Sequence, residues 1–212
     1  MDMDAARARM VQNLKREVRD KKVLEVMGRI PREMFVPPSS QNAAYENVPL
    51  PIDLKQTISQ PLIVAIMTEA LELKGTERVL EVGTGSGYQA AILCELAWRV
   101  VTVERHRKLA EGAQKVLKQL GYKNVEVHLA EKTLGWREGA PYDAIIVTAG
   151  APSVPQELID QLDVGGRLVI PVGSPFAQDL IKVVKRKEGP VSTNLGPCRF
   201  VPLIGDGGWR ED

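Results

Sequence analysis

Three alternate glycines, Gly83, Gly85 and Gly87, follow the apolar run Val79-Leu80-Glu81-Val82. A tight strand-to-helix turn needs only one glycine for its dihedral angles. Three of them point to a backbone held close to a ligand. Two carboxylates accompany the turn: Glu81, two residues before Gly83, and Glu104, seventeen residues past Gly87, at the end of the next apolar run. The spacing is G-x-G-x-G, whereas a dinucleotide site uses G-x-G-x-x-G to bring a helix N-terminus onto a pyrophosphate. The Gly-Lys-Ser/Thr ending of a P-loop is also absent. The turn therefore suits a nucleoside ligand without a pyrophosphate or triphosphate. A carboxylate at Glu104 can accept hydrogen bonds from both hydroxyls of a ribose. A nicotinamide fold also places an acid about 20 residues on, so Glu104 alone leaves both cofactor classes open.

A second candidate is Ser59, which precedes Pro61 and the apolar run from Leu62 to Met67. The pattern predicts a helix to about Leu73 with Ser59 as its N-cap and Pro61 in its first turn. A capping serine contributes ~1 kcal/mol. Its hydroxyl can accept from a helix N–H and still donate to an anion, which the helix N-terminus also favours.

The elements that must position these residues alternate in period. Strands are predicted at 78–82, 99–104, 124–129, 143–148 and 167–172, with helices at about 88–97, 106–120 and 153–163. Continuous β-branched runs separated by helices indicate an α/β fold, a doubly wound, mostly parallel sheet with helices on both faces. Beyond Val172 the pattern reads as strands alone, at 179–187 and 198–203. Before the core, Met10, Val11, Leu14 and Val18 predict a helix over 4–20, a second helical piece covers 22–28, and Pro31 opens a short turn. Residues 36–57, with Pro37, Pro38, Pro49 and Pro51, read as a long connection, either a functional loop or a disordered one. The expected organisation is a single domain over 1–212: N-terminal helices and substrate loop at 1–57, an α/β core at 58–172 and C-terminal strands at 173–212.

The charge balance argues against a dedicated nucleic-acid binder, since 28 basic and 27 acidic residues leave a net charge of +1. Cys94 and Cys198 fit neither a disulfide framework nor a zinc spacing, and His106 and His128 are too few for a typical metal cluster. His106 and His128 read as structural or surface residues, and Trp98 and Trp136 as packing residues rather than cofactor stackers. The charged start M-D-M-D-A-A-R-A-R-M does not read as a signal peptide, and the run from Leu62 to Met67 is too short to span a bilayer. The expectation is a cytoplasmic protein without metal, membrane or nucleic-acid partners, and a monomer.

The E-x-G-x-G-x-G turn resembles the first motif of the Rossmann-like methyltransferases, which use S-adenosylmethionine, a nucleoside without phosphate. Further stretches narrow the resemblance: I-P-R-E-M-F-V-P (30–37), A-Y-E-N-V-P-L-P-I (44–52), Q-T-I-S-Q-P (56–61), Y-D-A-I-I-V-T-A (142–149) and R-F-V-P-L (199–203). Together they resemble the protein-L-isoaspartate O-methyltransferase family over nearly the whole chain. That resemblance implies methylation of the free α-carboxylate of L-isoaspartyl residues in damaged proteins, giving S-adenosyl-L-homocysteine and an ester that closes to a succinimide without further enzymatic help. It places Ser59 in the active site, with Thr57, Gln60, Val201 and Pro202 at the substrate. It places Glu81, Gly83, Gly85, Gly87, Glu104, Arg105, Glu131 and Lys132 at the cofactor, with Glu81 near the ammonium of its methionyl part. It also implies that the final two strands reverse the order typical of methyltransferases.

The chain departs from the family pattern at three places. Ala130-Glu131-Lys132 stands where Gly-Asp-Gly is usual, Asp53 and Lys55 replace two loop glycines, and Asn47 stands where aspartate is common. Three rival readings follow. One is a methyltransferase for another carboxylate or protein substrate. Another is a non-catalytic protein binding adenosyl ligands or altered peptides. The third is a nicotinamide oxidoreductase.

Overall fold

A computed structural model describes residues 2–131 and 133–210. Seven strands form one sheet: β3 (Arg78–Val82), β4 (Arg99–Glu104), β5 (Val125–Leu129), β6 (Tyr142–Val147), β7 (Leu162–Gly173), β8 (Gln178–Arg186) and β9 (Gly189–Cys198). A separate two-stranded ribbon pairs β1 (Leu50–Pro51) with β2 (Thr57–Ile58). The order in the large sheet is β5-β4-β3-β6-β7-β8-β9, parallel through β7 and antiparallel across β8 and β9. The chain leaves β3 toward β4 and β5, then returns to the other side of β3 for β6 and β7. That reversal opens a crevice beyond the C-terminal ends of β3, β4 and β6, where open α/β sheets bind ligands.

Both faces of the sheet are covered, as the β-branched runs require. Val79, Val100, Ala144, Ile146 and Val169 belong to one buried cluster; Leu80, Val82, Val101, Val103, Ile145, Val147, Leu168 and Ile170 belong to the other. Successive side chains point to opposite faces, which yields this division. The first face is covered by α1 (Met3–Leu14), α2 (Lys21–Met27), α3 (Pro61–Ala70) and α4 (Tyr88–Leu96), and Leu117 of α5 (Arg107–Gln119) joins it. The second is covered by α6 (Gln156–Gln161) through Leu158 and Ile159. No helix among the described residues is long and apolar enough to cross a membrane.

Several boundaries differ from the sequence expectations. The helix expected over 4–20 ends at Leu14, because Asp20 starts α2 by accepting from Lys22 and Val23 N–H. The intervening Arg19 and Asp20 N–H groups both donate to Glu69 Oε1, at 2.7 Å each. The helix expected over 153–163 contracts to 156–161 behind Pro155, and β7 takes over at Leu162. Residues 199–203 do not form the expected strand. They run past the end of β6 and make a single bridge between Pro202 and Gly150, since Pro202 has no N–H to continue a ladder. The last strand is instead β9, whose residues are nearly all exposed and carry Pro190, Gly196 and Pro197. An edge strand of that kind has no apolar alternation to read.

Ser59 is not the N-cap of α3. That position belongs to Gln60, which makes no side-chain capping bond. The Leu62 N–H donates instead to Asn47 Oδ1 at 2.9 Å, from fifteen residues upstream. Asn47→Ala should therefore cost about 1 kcal/mol, the usual value of a lost cap. For a chain of this size that lowers Tm by roughly 2–4 °C. Asn47→Asp retains the acceptor and should not show the loss. Thermal melts of the two variants check this, and equal destabilisation by both would sink the capping assignment.

Candidate active site

The glycine turn follows β3 directly. Gly83 N–H donates to Val103 O at 2.9 Å, and Thr148 Oγ1 donates to Gly83 O at 2.6 Å. Gly83 has φ +101°, and a Cβ there would sit 2.3 Å from Thr148 Oγ1, so only glycine fits. Gly87 has φ +90° and forms the N-terminus of α4, where a Cβ would stand 3.1 Å from the Ala113 Cβ of α5. Gly87 thus lets two helices approach and does not line the cavity. Gly83 and Gly85 do.

Both acids are buried at the strand ends. Glu104 accepts the Gly85 N–H through Oε2 and the His106 N–H through Oε1, each at 2.9 Å. A carboxylate has about four lone-pair positions, so two remain for hydroxyl donors. Glu81 is fully buried. Its Oε2 accepts from Thr102 Oγ1 at 2.6 Å, and Thr102 Oγ1 lies 2.6 Å from Thr84 Oγ1. Its Oε1 is buried without a hydrogen-bond partner among the described residues. Burial pushes the Glu81 carboxyl up to about 8; the Thr102 hydrogen bond opposes this and the nearby Glu104 charge adds to it. Thr102, which the sequence reading passed over, pairs in register with Glu81. It is the lone polar residue in the run V-V-T-V, and that was the available signal.

These groups face one cavity with an empty volume of about 1140 Å³, including space open to solvent. Glu81, Gly83, Gly85, Glu104, Arg105 and Glu131 line it around the glycine turn, and Thr57, Ser59, Val201 and Pro202 line it elsewhere. Gln60 and Gly87 are not among the lining residues, and Lys132 lies outside the described residues. The lining also includes Tyr88, Met67, Thr148 and Asp206, none of which the sequence reading singled out as site residues. Val201 and Leu203 hold the C-terminal segment to the end of β6: Gly150 N–H donates to Val201 O and Leu203 N–H to Gly150 O, both at 2.8 Å.

The loop that lost its glycines closes beside the turn. Leu54 and Lys55 both have φ +59°, a left-handed conformation that costs a side-chain-bearing residue roughly 1–2 kcal/mol. Lys55 occupies one of the two positions where the family resemblance leads one to expect glycine, and it adopts the left-handed conformation that glycine suits. Lys108 Nζ on α5 holds the loop through Asp53 Oδ2 at 2.8 Å.

The chain matches the sequence profile of the protein-L-isoaspartate(D-aspartate) O-methyltransferases over residues 5–208. It belongs to that family. It is 53% identical over 212 residues to protein-L-isoaspartate O-methyltransferase 1 of Syntrophobacter fumaroxidans, covering 99% of each chain. It is 54% identical over 215 residues to the protein-L-isoaspartate O-methyltransferase of Geobacter metallireducens, covering all of both. Among solved structures, a protein-L-isoaspartate O-methyltransferase superposes with a TM-score of 0.84 at 31% identity, over 95% of this chain and 67% of that one. A Plasmodium falciparum structure in complex with S-adenosyl-L-homocysteine gives 0.78 at 26% identity, over 92% of this chain and 96% of that one. The fold is the family's Rossmann-like one.

The residues present fit the cofactor the family uses. S-adenosylmethionine carries an ammonium and a sulfonium, and Glu81, at the cavity wall, keeps a buried carboxyl oxygen that has no hydrogen-bond partner among the described residues. Its ribose carries the two hydroxyls that Glu104 can accept.

Proposed function

We propose that this chain transfers a methyl group from S-adenosylmethionine to the α-carboxylate of L-isoaspartyl residues in damaged proteins. The ester so formed closes to a succinimide, whose hydrolysis can restore aspartate. The observation that carries the site assignment is the single cavity shared by the glycine turn, the two strand-end acids and Ser59. S-adenosylmethionine, when bound, supplies a methyl group on a sulfonium, whose charge is neutralised as the methyl leaves.

The chain's own residues act by binding and orientation. Glu81 would meet the cationic end of the cofactor and Glu104 its ribose. Glu131 and Arg105 would hold the adenine, Lys132 is assigned to the same group, and Gly83, Gly85 and Gly87 shape the turn. An α-type carboxylate has a pKa of about 3.3–3.7 and is ionised at neutral pH, so the acceptor needs no general base. Ser59 donates its hydroxyl hydrogen to that carboxylate and fixes the attacking oxygen, with Thr57 and Gln60 adding polar contacts. The N-terminus of α3 lies two residues on and favours the anion. Orientation of this kind can supply roughly 7–11 kcal/mol. Val201 and Pro202 present backbone to the peptide, which suits a substrate defined by a lesion rather than by a sequence.

The reading includes three parts of the chain acting as one domain: 1–57 and 173–212 wall the substrate end, and 58–172 holds the cofactor. It includes a cytoplasmic monomer that takes damaged polypeptides and neither nucleic acid nor membrane; the near-zero net charge of +1 supports the last point. The test is methyl transfer from labelled S-adenosylmethionine to an isoaspartyl peptide beside the same peptide with normal aspartate. Label on the isoaspartyl peptide alone is expected. Label on neither, with the protein folded, would move the assignment to a non-catalytic binder.

A further inference from the structure

The cavity poses an electrostatic problem for the proposed acceptor, which is an anion. Acidic side chains line it, those of Glu104, Glu131 and Asp206 beside that of Glu81, whose neutral form burial favours. Among the described lining residues the one permanent cation is Arg105, which follows Glu104 at the cofactor end. The substrate end, from Gln56 to Ser59 and from Val201 to Asp206, carries the acid Asp206 and, among the described residues, no cation.

A cation stands directly behind that end. Arg32 lies in a short 3-10 turn (Arg32–Phe35) and is fully buried. Its Nη2 donates to Ser59 O at 2.7 Å and its Nε to Ala44 O at 2.7 Å. Its guanidinium carbon lies 4.7 Å from the centre of the Tyr88 ring, and Tyr88 itself lines the cavity. Buried guanidinium groups ordinarily pair with a carboxylate. Among the described residues Arg32 meets no carboxylate: its Nε and Nη2 donate to two carbonyl oxygens, and Nη1 is buried without a partner. Burial lowers its pKa, yet a guanidinium remains protonated in proteins. The chain thus keeps a full positive charge in low dielectric, hydrogen-bonded to the Ser59 carbonyl.

We propose that Arg32 is a positioning residue for the methyl acceptor: it fixes the Ser59 backbone through its carbonyl and supplies the positive charge that the incoming carboxylate meets at the substrate end. The inference rests on the isoaspartyl reading above. Arg32 acts through Ser59 and through its field, and it is placed behind the reacting atoms rather than on them.

Two properties follow that a merely structural arginine would not have. The charge should favour a carboxylate over an uncharged carboxamide of the same shape, and the two carbonyl bonds should set the orientation of Ser59. The experiment uses the full chain saturated with S-adenosyl-L-homocysteine and calorimetric binding of two peptides, one with the isoaspartyl α-carboxylate and one with the α-carboxamide at the same residue. The wild type should prefer the carboxylate by roughly tenfold or more. Arg32→Gln keeps a donor but no charge, and its preference should fall to within about threefold of unity. Arg32→Lys keeps the charge and should keep most of the preference. It lacks the planar fork that reaches both carbonyls, so its kcat should still fall by about tenfold or more. S-adenosyl-L-homocysteine should bind all three proteins alike.

An unchanged preference in Arg32→Gln would overturn the electrostatic role. If that variant fails to fold, Arg32→Lys decides: wild-type kcat and KM there would overturn the positioning role. Failure of the wild type to methylate the isoaspartyl peptide would instead overturn the functional reading, so the two failures remain separate.

Discussion

Glu81→Gln is expected to weaken S-adenosyl-L-homocysteine binding by at least about tenfold and, at the same time, to stabilise the ligand-free protein above pH 8. Glu81 is fully buried and its carboxyl is pushed up to about 8. An unfolded glutamate titrates near 4.3. Between those values the folded chain holds a proton that the unfolded chain has released. Stability therefore falls as pH rises through that window, by up to about 1.4 kcal/mol per pH unit, and levels off above about 8. Glutamine does not titrate, so the variant lacks this fall. The two melting curves should coincide below about pH 4 and separate towards pH 9, with roughly 5 kcal/mol as the upper bound on the gap.

Ligand binding should show the converse. A cationic group beside Oε1 favours the ionised acid, so wild-type affinity should climb by as much as about tenfold per pH unit below 8 and then flatten, with a proton released on binding. The variant should bind weakly with no such climb. Scanning calorimetry at several pH values and binding titrations in two buffers of different ionisation enthalpy read both effects. Parallel melting curves would show that Glu81 does not titrate in this window.

Ser59→Ala is expected to reduce kcat/KM for an isoaspartyl peptide by roughly 10²-fold, the cost of misplacing one reacting group. Tm should move by less than about 1 °C, because the first turn of α3 is capped from Asn47 and not from Ser59. Ser59→Thr retains the hydroxyl and should keep more activity than alanine. The separation of activity from stability is what distinguishes a substrate contact from a cap. Matched losses of melting temperature and turnover in Ser59→Ala would leave the serine with a structural role alone.

The part of the site legible in the sequence is the part built on local pattern. The glycine spacing, the acids at the ends of β3 and β4, and the order of strands and helices from 78 to 172 all follow from periodicity and turn chemistry. The parts that were not legible depend on contacts between distant segments. Asn47 caps a helix fifteen residues away, and nothing in its neighbours marks it. Arg32 reads as one more charge beside a proline until burial places it behind Ser59. The run R-F-V-P-L reads as a strand by composition, yet Phe200 and Leu203 are buried anchors of a segment with one bridge. The strand that does exist there, β9, hides behind its exposure and its prolines.

One consequence of the architecture concerns the order in which the chain is made. The glycine turn and both strand-end acids lie within residues 81–104, whereas the opposite wall of the same cavity lies at 201–206. Its anchor, Gly150, meets Val201 and Leu203 only after β7, β8 and β9 have been laid down. Ribosomes add about 5–20 residues per second, so the nucleoside half of the site precedes the peptide half by some seconds to tens of seconds. During that interval a nascent chain lacks the wall formed by Val201 and Pro202. The wall at 201–206 is thus among the last parts of the cavity to be assembled, long after the segment from Gln56 to Ser59 that lines it from the other end of the chain.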